Sequence, residues 1–158
     1  MASERPKLKD IREQFDAAVR RVPQESAEGD PAERGPDTPY IHVAEYIPVH
    51  SWRRVLPFMR TSMDIFRFAQ ACPGFMAGGI RAKWWRRQFW SYTVWQDRDA
   101  MMRFVHNMPH SQAISMINDV AAPGACFTEW ESTGPPDWSD AMERLKTPTR
   151  YLVPPGVR

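Results

Sequence analysis

His110 is the side chain best placed by sequence to do chemistry. It follows Met108-Pro109. Proline has no N–H and disfavours the α region for the residue before it, so a helix arriving from Arg98 stops or kinks there. His110 then opens a new turn, with Trp95 from a preceding strand and Phe104 from the helix expected around it. An imidazole desolvated in that way stays neutral near pH 7, the state that ligates iron or accepts a proton. Equally, His110 can cap the Ser111–Val120 helix or pack against Trp95. His106 lies four residues earlier, but Pro109 interrupts the shared face and no Asp or Glu completes a ligand set, so no metal site is expected. His42 shares a strand face with Tyr40 and Tyr46, where it lines a cavity or bonds to a neighbouring strand; His50 belongs to the loop that follows. Arg81 sits inside a strand, where a charge needs a partner, and is the residue expected to orient an anionic group.

Other constellations are absent. There is no Ser/His/Asp set, Walker loop, dinucleotide fingerprint or paired-carboxylate motif. Glu129 and Glu131 flank Trp130 on one strand face and are expected to pair with basic residues. Lys83-Trp84-Trp85-Arg86-Arg87-Gln88-Phe89-Trp90 mixes cations with rings, as single-strand nucleic-acid surfaces do. The RNP pattern is missing, so a hairpin with an Arg-Arg tip is the simpler reading and nucleic acid is not the expected partner.

The elements that position these residues follow from periodicity. Leu8, Ile11, Phe15, Val19 and Val22 mark an amphipathic arm helix over 1–22; residues 23–38, rich in Pro, Gly and charge, form a linker. A folded domain spans 39–146. Tyr40–Val49 alternates as a strand, with Ile41, Val43 and Ile47 on one face and Tyr40, His42, Ala44 and Tyr46 on the other. Ser51 is placed to cap a helix to about Ala71, with Val55, Leu56, Met59, Met63 and Phe66 inward and a kink or 3₁₀ lead-in at Pro57. Phe75–Trp85 is a second strand, with a bulge or close approach at Gly78-Gly79. Phe89–Trp95 is a third. Asp97 caps a helix whose stripe is Met101, Phe104, Val105 and Met108. Ala125–Ser132 is a fourth strand, Trp138–Lys146 a terminal helix, and 147–158 an extended tail. The order βαββαβ is α+β and ferredoxin-like. Both central helices must cover one sheet face, which leaves the other, rich in Tyr, Trp, Phe and Met, for a partner or ligand.

Composition agrees with one domain and a real core. Seven Trp and nine Met suggest large flat walls with adaptable filling around a bulky ligand. A net charge of +2 is too small to demand a polyanionic partner. Cys72 and Cys126 lack CxxC spacing and read as a reduced pair. The polar N-terminus and the lack of a spanning apolar run point to a soluble, cytoplasmic protein with no membrane partner.

The strand ending in Val94-Trp95, followed by Ala100-Met101, Phe104 and Pro109-His110-x-x-Ala113, resembles the dimeric α/β-barrel proteins of the antibiotic-biosynthesis-monooxygenase-like group. Within it the chain looks closest to the spheroidene-monooxygenase-like branch. The resemblance covers roughly residues 40–146. It implies a homodimer in which two sheets pair face to face into a barrel, each subunit keeping a pocket between sheet and helices. It implies a monooxygenase-like enzyme acting on a small apolar or aromatic substrate. His110 is then the catalytic residue and the axial ligand of a haem, with Trp95, Phe104, Arg81, His42 and Tyr46 binding substrate; Arg86 and Arg87 could meet haem propionates. Cofactor-independent members activate the substrate by deprotonation, so haem is not obligatory. The alternative is a non-catalytic ligand-binding or assembly protein with the same barrel.

Overall fold

Alternation in the first strand sets both faces of the sheet. The computed structural model describes residues 35, 37–107, 114 and 117–156. Its elements are β1 (Tyr40–Pro48), α1 (Trp52–Ala71), β2 (Phe75–Lys83), a 3₁₀ turn (Trp84–Arg86), β3 (Gln88–Trp95), α2 (Arg98–Val105), β4 (Cys126–Ser132), α3 (Trp138–Arg144) and β5 (Arg150–Tyr151). All five strands join one antiparallel sheet in the order β2-β3-β1-β4-β5. The first four strands with α1 and α2 make the ferredoxin-like α+β arrangement expected, and β5 is added outside β4. The arm helix of 1–22, the linker except residues 35, 37 and 38, and Met108, Pro109 and His110 lie outside the described residues, as does most of the Ser111–Val120 helix.

One face carries the main core. Val55, Met59, Met63, Phe66 and Ala69 recur at helical spacing on α1 and are all buried. Ala100, Met101 and Phe104 do the same on α2. They close on Ile41, Ile80, Phe89 and Trp95 of the sheet. Asp97 caps α2, its carboxylate accepting the Ala100 N–H at 2.7 Å. Ser51 stands at the start of α1, but its hydroxyl accepts no capping bond. Pro57 does not break α1; the first turn is tightened instead by Arg54 N–H to the Ser51 carbonyl at 3.1 Å, an i to i−3 bond of 3₁₀ type.

β2 differs from expectation in two ways. It ends at Lys83, because Trp84–Arg86 turns as a 3₁₀ helix into Arg87, whose φ of 52° is left-handed. Its irregularity lies between Phe75 and Ala77, not at the glycines. Gly78 answers to close approach: a Cβ there would stand 2.9 Å from the Phe75 ring and 3.0 Å from the Tyr92 carbonyl.

The second face is not left bare. Gly134-Pro135-Pro136 turns the chain back after β4, and Asp137 caps α3 by accepting the Ser139 N–H at 2.7 Å. Ala141, fully buried, lets α3 lie close on Ala44, Tyr92, Val94 and Trp130, with Trp138 beside it. The expectation of an uncovered aromatic face is corrected: the chain's own C-terminal helix takes that place. The tail continues onto the sheet, with Leu152 N–H bonded to the Ala125 carbonyl at 2.8 Å and Tyr151 paired with Cys126.

Candidate functional site

His42 is the buried titratable group at the centre of the face beneath α3. β1 puts it between Val94 of β3 and Trp130 of β4. Its ring stacks on Trp130 with centroids 5.2 Å apart, and its Nδ1 lies 2.7 Å from the Tyr92 hydroxyl. Tyr92 in turn accepts the Asp137 N–H at 3.3 Å. The directions of this chain are therefore assigned: Asp137 N–H donates to Tyr92, and the Tyr92 O–H donates to Nδ1, which leaves the proton of the neutral ring on Nε2. That Nε2 is buried and makes no hydrogen bond. Burial pushes the His42 pKa below its ordinary value; the Ser132 backbone and the Asp140 carboxylate offset part of this, and Arg144 adds to the lowering. Burial likewise pushes the Tyr92 hydroxyl up. The site is a neutral imidazole backed by a neutral phenol, with one polar atom left over in an aromatic box. An orphaned buried donor of this kind suits an oxygen on which negative charge develops.

The residues expected at one site fall on two faces. His42 and Tyr46 share the α3 face, where Tyr46 lies beside Trp90 and accepts from the Gln88 amide at 2.8 Å. Arg81 is on that face too, its guanidinium 4.4 Å from the centre of the Trp138 ring. Trp95 and Phe104 are on the opposite face, stacked on each other at 4.9 Å inside the main core. His106 ends α2 and is exposed; His50 Nε2 bonds the Asp119 carbonyl at 2.8 Å. Glu129 forms an ion pair with Arg98. Two surface depressions flank the helices. One of about 580 Å³ is lined by Arg103 of α2 and by His106 and Asn107 just after it, among others; another of about 610 Å³ lies by α3, lined by Arg81, Trp138 and Lys146 among others. Neither reaches His42.

Sequence reasoning missed Tyr92 and Trp130 as partners of His42, and Trp138 as the ring packed on Tyr92. Alternation alone puts Tyr92 and Trp130 on single-strand faces, but only the register of β1 with β3 and β4 joins them to His42.

No family model and no curated protein matches the chain. Solved structures do. A possible oxidoreductase from Bacteroides thetaiotaomicron aligns at TM-score 0.53 and 12% identity over 60% of this chain and 99% of that one. A protein described as an antibiotic biosynthesis monooxygenase aligns at 0.51 and 12%, over 61% and 99%. SnoaB from Streptomyces nogalater, named a cofactor-independent oxygenase, aligns at 0.48 and 14%, over 63% and 96%. At such identities the likeness is one of fold alone, the ferredoxin-like α+β fold.

The expectation of haem is corrected. Its intended walls, Trp95 and Phe104, fill the space between sheet and helices with each other. Among the described residues no three His, Cys, Asp or Glu side chains meet as a metal site.

Proposed function

We propose that the chain is a monooxygenase-like enzyme that oxidises a small, electron-rich aromatic substrate without a bound cofactor, with His42 as the residue that stabilises charge on the substrate. The observation that carries this reading is the neutral, buried imidazole whose Nε2 has no partner. Its role is to donate to the substrate oxygen on which charge collects as an acidic C–H or O–H ionises, the proton leaving to water. The resulting anion is the reductant and dioxygen the oxidant. A CH₂ becomes C=O, one oxygen atom stays in the product and the other leaves as water. Tyr92 holds the imidazole tautomer, and Trp130 offers a flat wall. The substrate enters beneath α3, its ring taking the place where Trp138 now lies perpendicular to Tyr92. Cytoplasmic location and a place in the spheroidene-monooxygenase-like branch belong to the same reading.

The test is oxygen uptake with a panel of hydroxylated polycyclic aromatics. Turnover by the wild-type chain, and a loss of about 10²- to 10³-fold in kcat for His42→Leu, is expected from removing one such donor. Full activity in a folded His42→Leu variant would end the assignment.

The homodimer is part of this proposal. α3 covers the His42 end of the sheet face, and half-buried Tyr46 marks the end where a second sheet would close. Light scattering at micromolar concentration is expected to give twice the chain mass; a monodisperse monomer would remove the barrel. A second reading, a non-catalytic binding or assembly protein, draws on the packing itself, since both faces of the sheet are filled by the chain. No oxygen uptake with any substrate of the panel would favour it.

A further inference from the structure

The hairpin tip between β2 and β3 meets the start of α1 at one end of the molecule. Two bonds tie them, Val49 N–H to the Arg87 carbonyl at 2.8 Å and Arg87 Nε–H to the Val49 carbonyl at 3.0 Å. The Arg87 guanidinium also lies 5.5 Å from the centre of the Trp52 ring. At this end Trp85 is 71% exposed and Trp52 50% exposed, the two most exposed large apolar side chains among the described residues. Around them stand Arg53, Arg54, Lys83 and Arg86, all exposed. The side chains of Arg53, Arg54 and Arg86 make no hydrogen bond or ion pair among the described residues.

The charge here is segregated. From Tyr46 to Gln96 the sequence has eight Lys or Arg and one acid, Asp64, although the whole chain is only +2. Asp64 pairs with Arg67 on the outer face of α1. Arg53 and Arg54 occupy the first turn of α1, where the helix dipole disfavours cations and no acidic residue relieves them. Trp85 is left mostly in solvent, and the Arg53 and Arg54 charges sit against the helix dipole. Local rules broken without a folding gain are expected where a surface has a partner.

We propose that this end is a docking surface for an anionic phospholipid membrane, on which the protein lies without spanning it. Indole rings seat at the boundary between head groups and acyl chains, and arginines beside them meet lipid phosphates. Nucleic acid fits less well. Proteins that stack bases on a sheet lay the rings on an open sheet face. Here the sheet-face rings Tyr92, Trp90 and Trp130 are buried, while the exposed indoles stand at a turn and a helix start. The proposal does not depend on the oxygenase reading.

The experiment is sedimentation of the full chain with vesicles of phosphatidylcholine alone and of phosphatidylcholine with phosphatidylglycerol, in low salt. Binding to the anionic vesicles only is expected, with a blue shift of tryptophan emission. At about 1 kcal/mol per cation near the surface, Arg53→Ser with Arg86→Ser should weaken binding about 30-fold. Trp85→Ala should weaken it several-fold and reduce the blue shift. All three changes are at exposed positions, and circular dichroism checks the fold. Wild-type protein that ignores anionic vesicles, or variants that bind as well as wild type, would overturn the proposal. So would tighter binding to a single-stranded oligonucleotide than to vesicles, or a Trp85→Ala protein that changes oligomeric state by light scattering, since the tip would then serve nucleic acid or a second copy.

Discussion

Trp95→Ala is expected to lower the stability of the folded chain by about 3–5 kcal/mol in urea unfolding, the range for emptying a packed aromatic site. Trp95 is among the largest fully buried side chains and joins three parts of the core. It stacks on Phe104 of α2 at 4.9 Å, meets Phe75 of β2 edge to face at 5.4 Å, and donates its Nε1–H to the Thr93 hydroxyl at 3.0 Å. Alanine loses the area, leaves a cavity between sheet and helix, and strips Thr93 of its partner. Trp95→Phe keeps most of the volume and is expected to recover most of the loss. A cost below about 1 kcal/mol for alanine would mean that the space yields easily. Trp95 and Phe104 would then be better read as the wall of an adaptable pocket than as core.

Wild-type stability is expected to fall as pH drops from about 7.5, and to fall more gently in His42→Leu. The sign follows from the direction of the shift. Burial holds the His42 pKa below 6.5 in the folded chain, while the unfolded chain titrates near 6.5. Between those values the unfolded state binds more protons, so stability is fully present above the unfolded pKa and is lost as pH falls through it towards the folded value. One group contributes a slope of at most about 1.4 kcal/mol per pH unit in that window. Subtracting the leucine variant isolates this from every other titrating group. Urea midpoints measured from pH 7.5 to 5 read the difference. Parallel curves would show that folding leaves the protonation of His42 unchanged, and the desolvated-donor chemistry would fall with it.

The sequence carried the fold well because the signals were local and periodic. Tyr40–Pro48 alternates cleanly, and its two faces in the structure are the two read from the sequence. α1 shows its stripe and α2 its Asp97 cap. What stayed hidden depended on register or on where a late element returns. α3 was legible as a helix, but nothing in Trp138–Arg144 says that it folds onto the far sheet face. His42 was legible as a member of a face, but its phenol and its indole come from strands 50 and 88 residues away. Gly78-Gly79 offered a bulge or a close approach, and at Gly78 it is close approach, by the Phe75 ring and the Tyr92 carbonyl. Arg81 needed a counterpart, and found the π face of Trp138 instead of an anion.

The strand order also settles how the sheet ends. β5 shields the outer rim of β4 with only two paired residues, Tyr151 and Arg150. At the opposite rim β2 has no neighbouring strand among the described residues, an edge of the kind that can template another chain. Three features blunt it. The bulge after Phe75 spoils the flat register, Gly78 and Gly79 reduce its β-propensity, and Arg81 and Lys83 place exposed positive charge along its second half. The same arginine that lies on Trp138 therefore also blunts this rim against strand-to-strand association, a reason for a cation at that position whatever the chain's function.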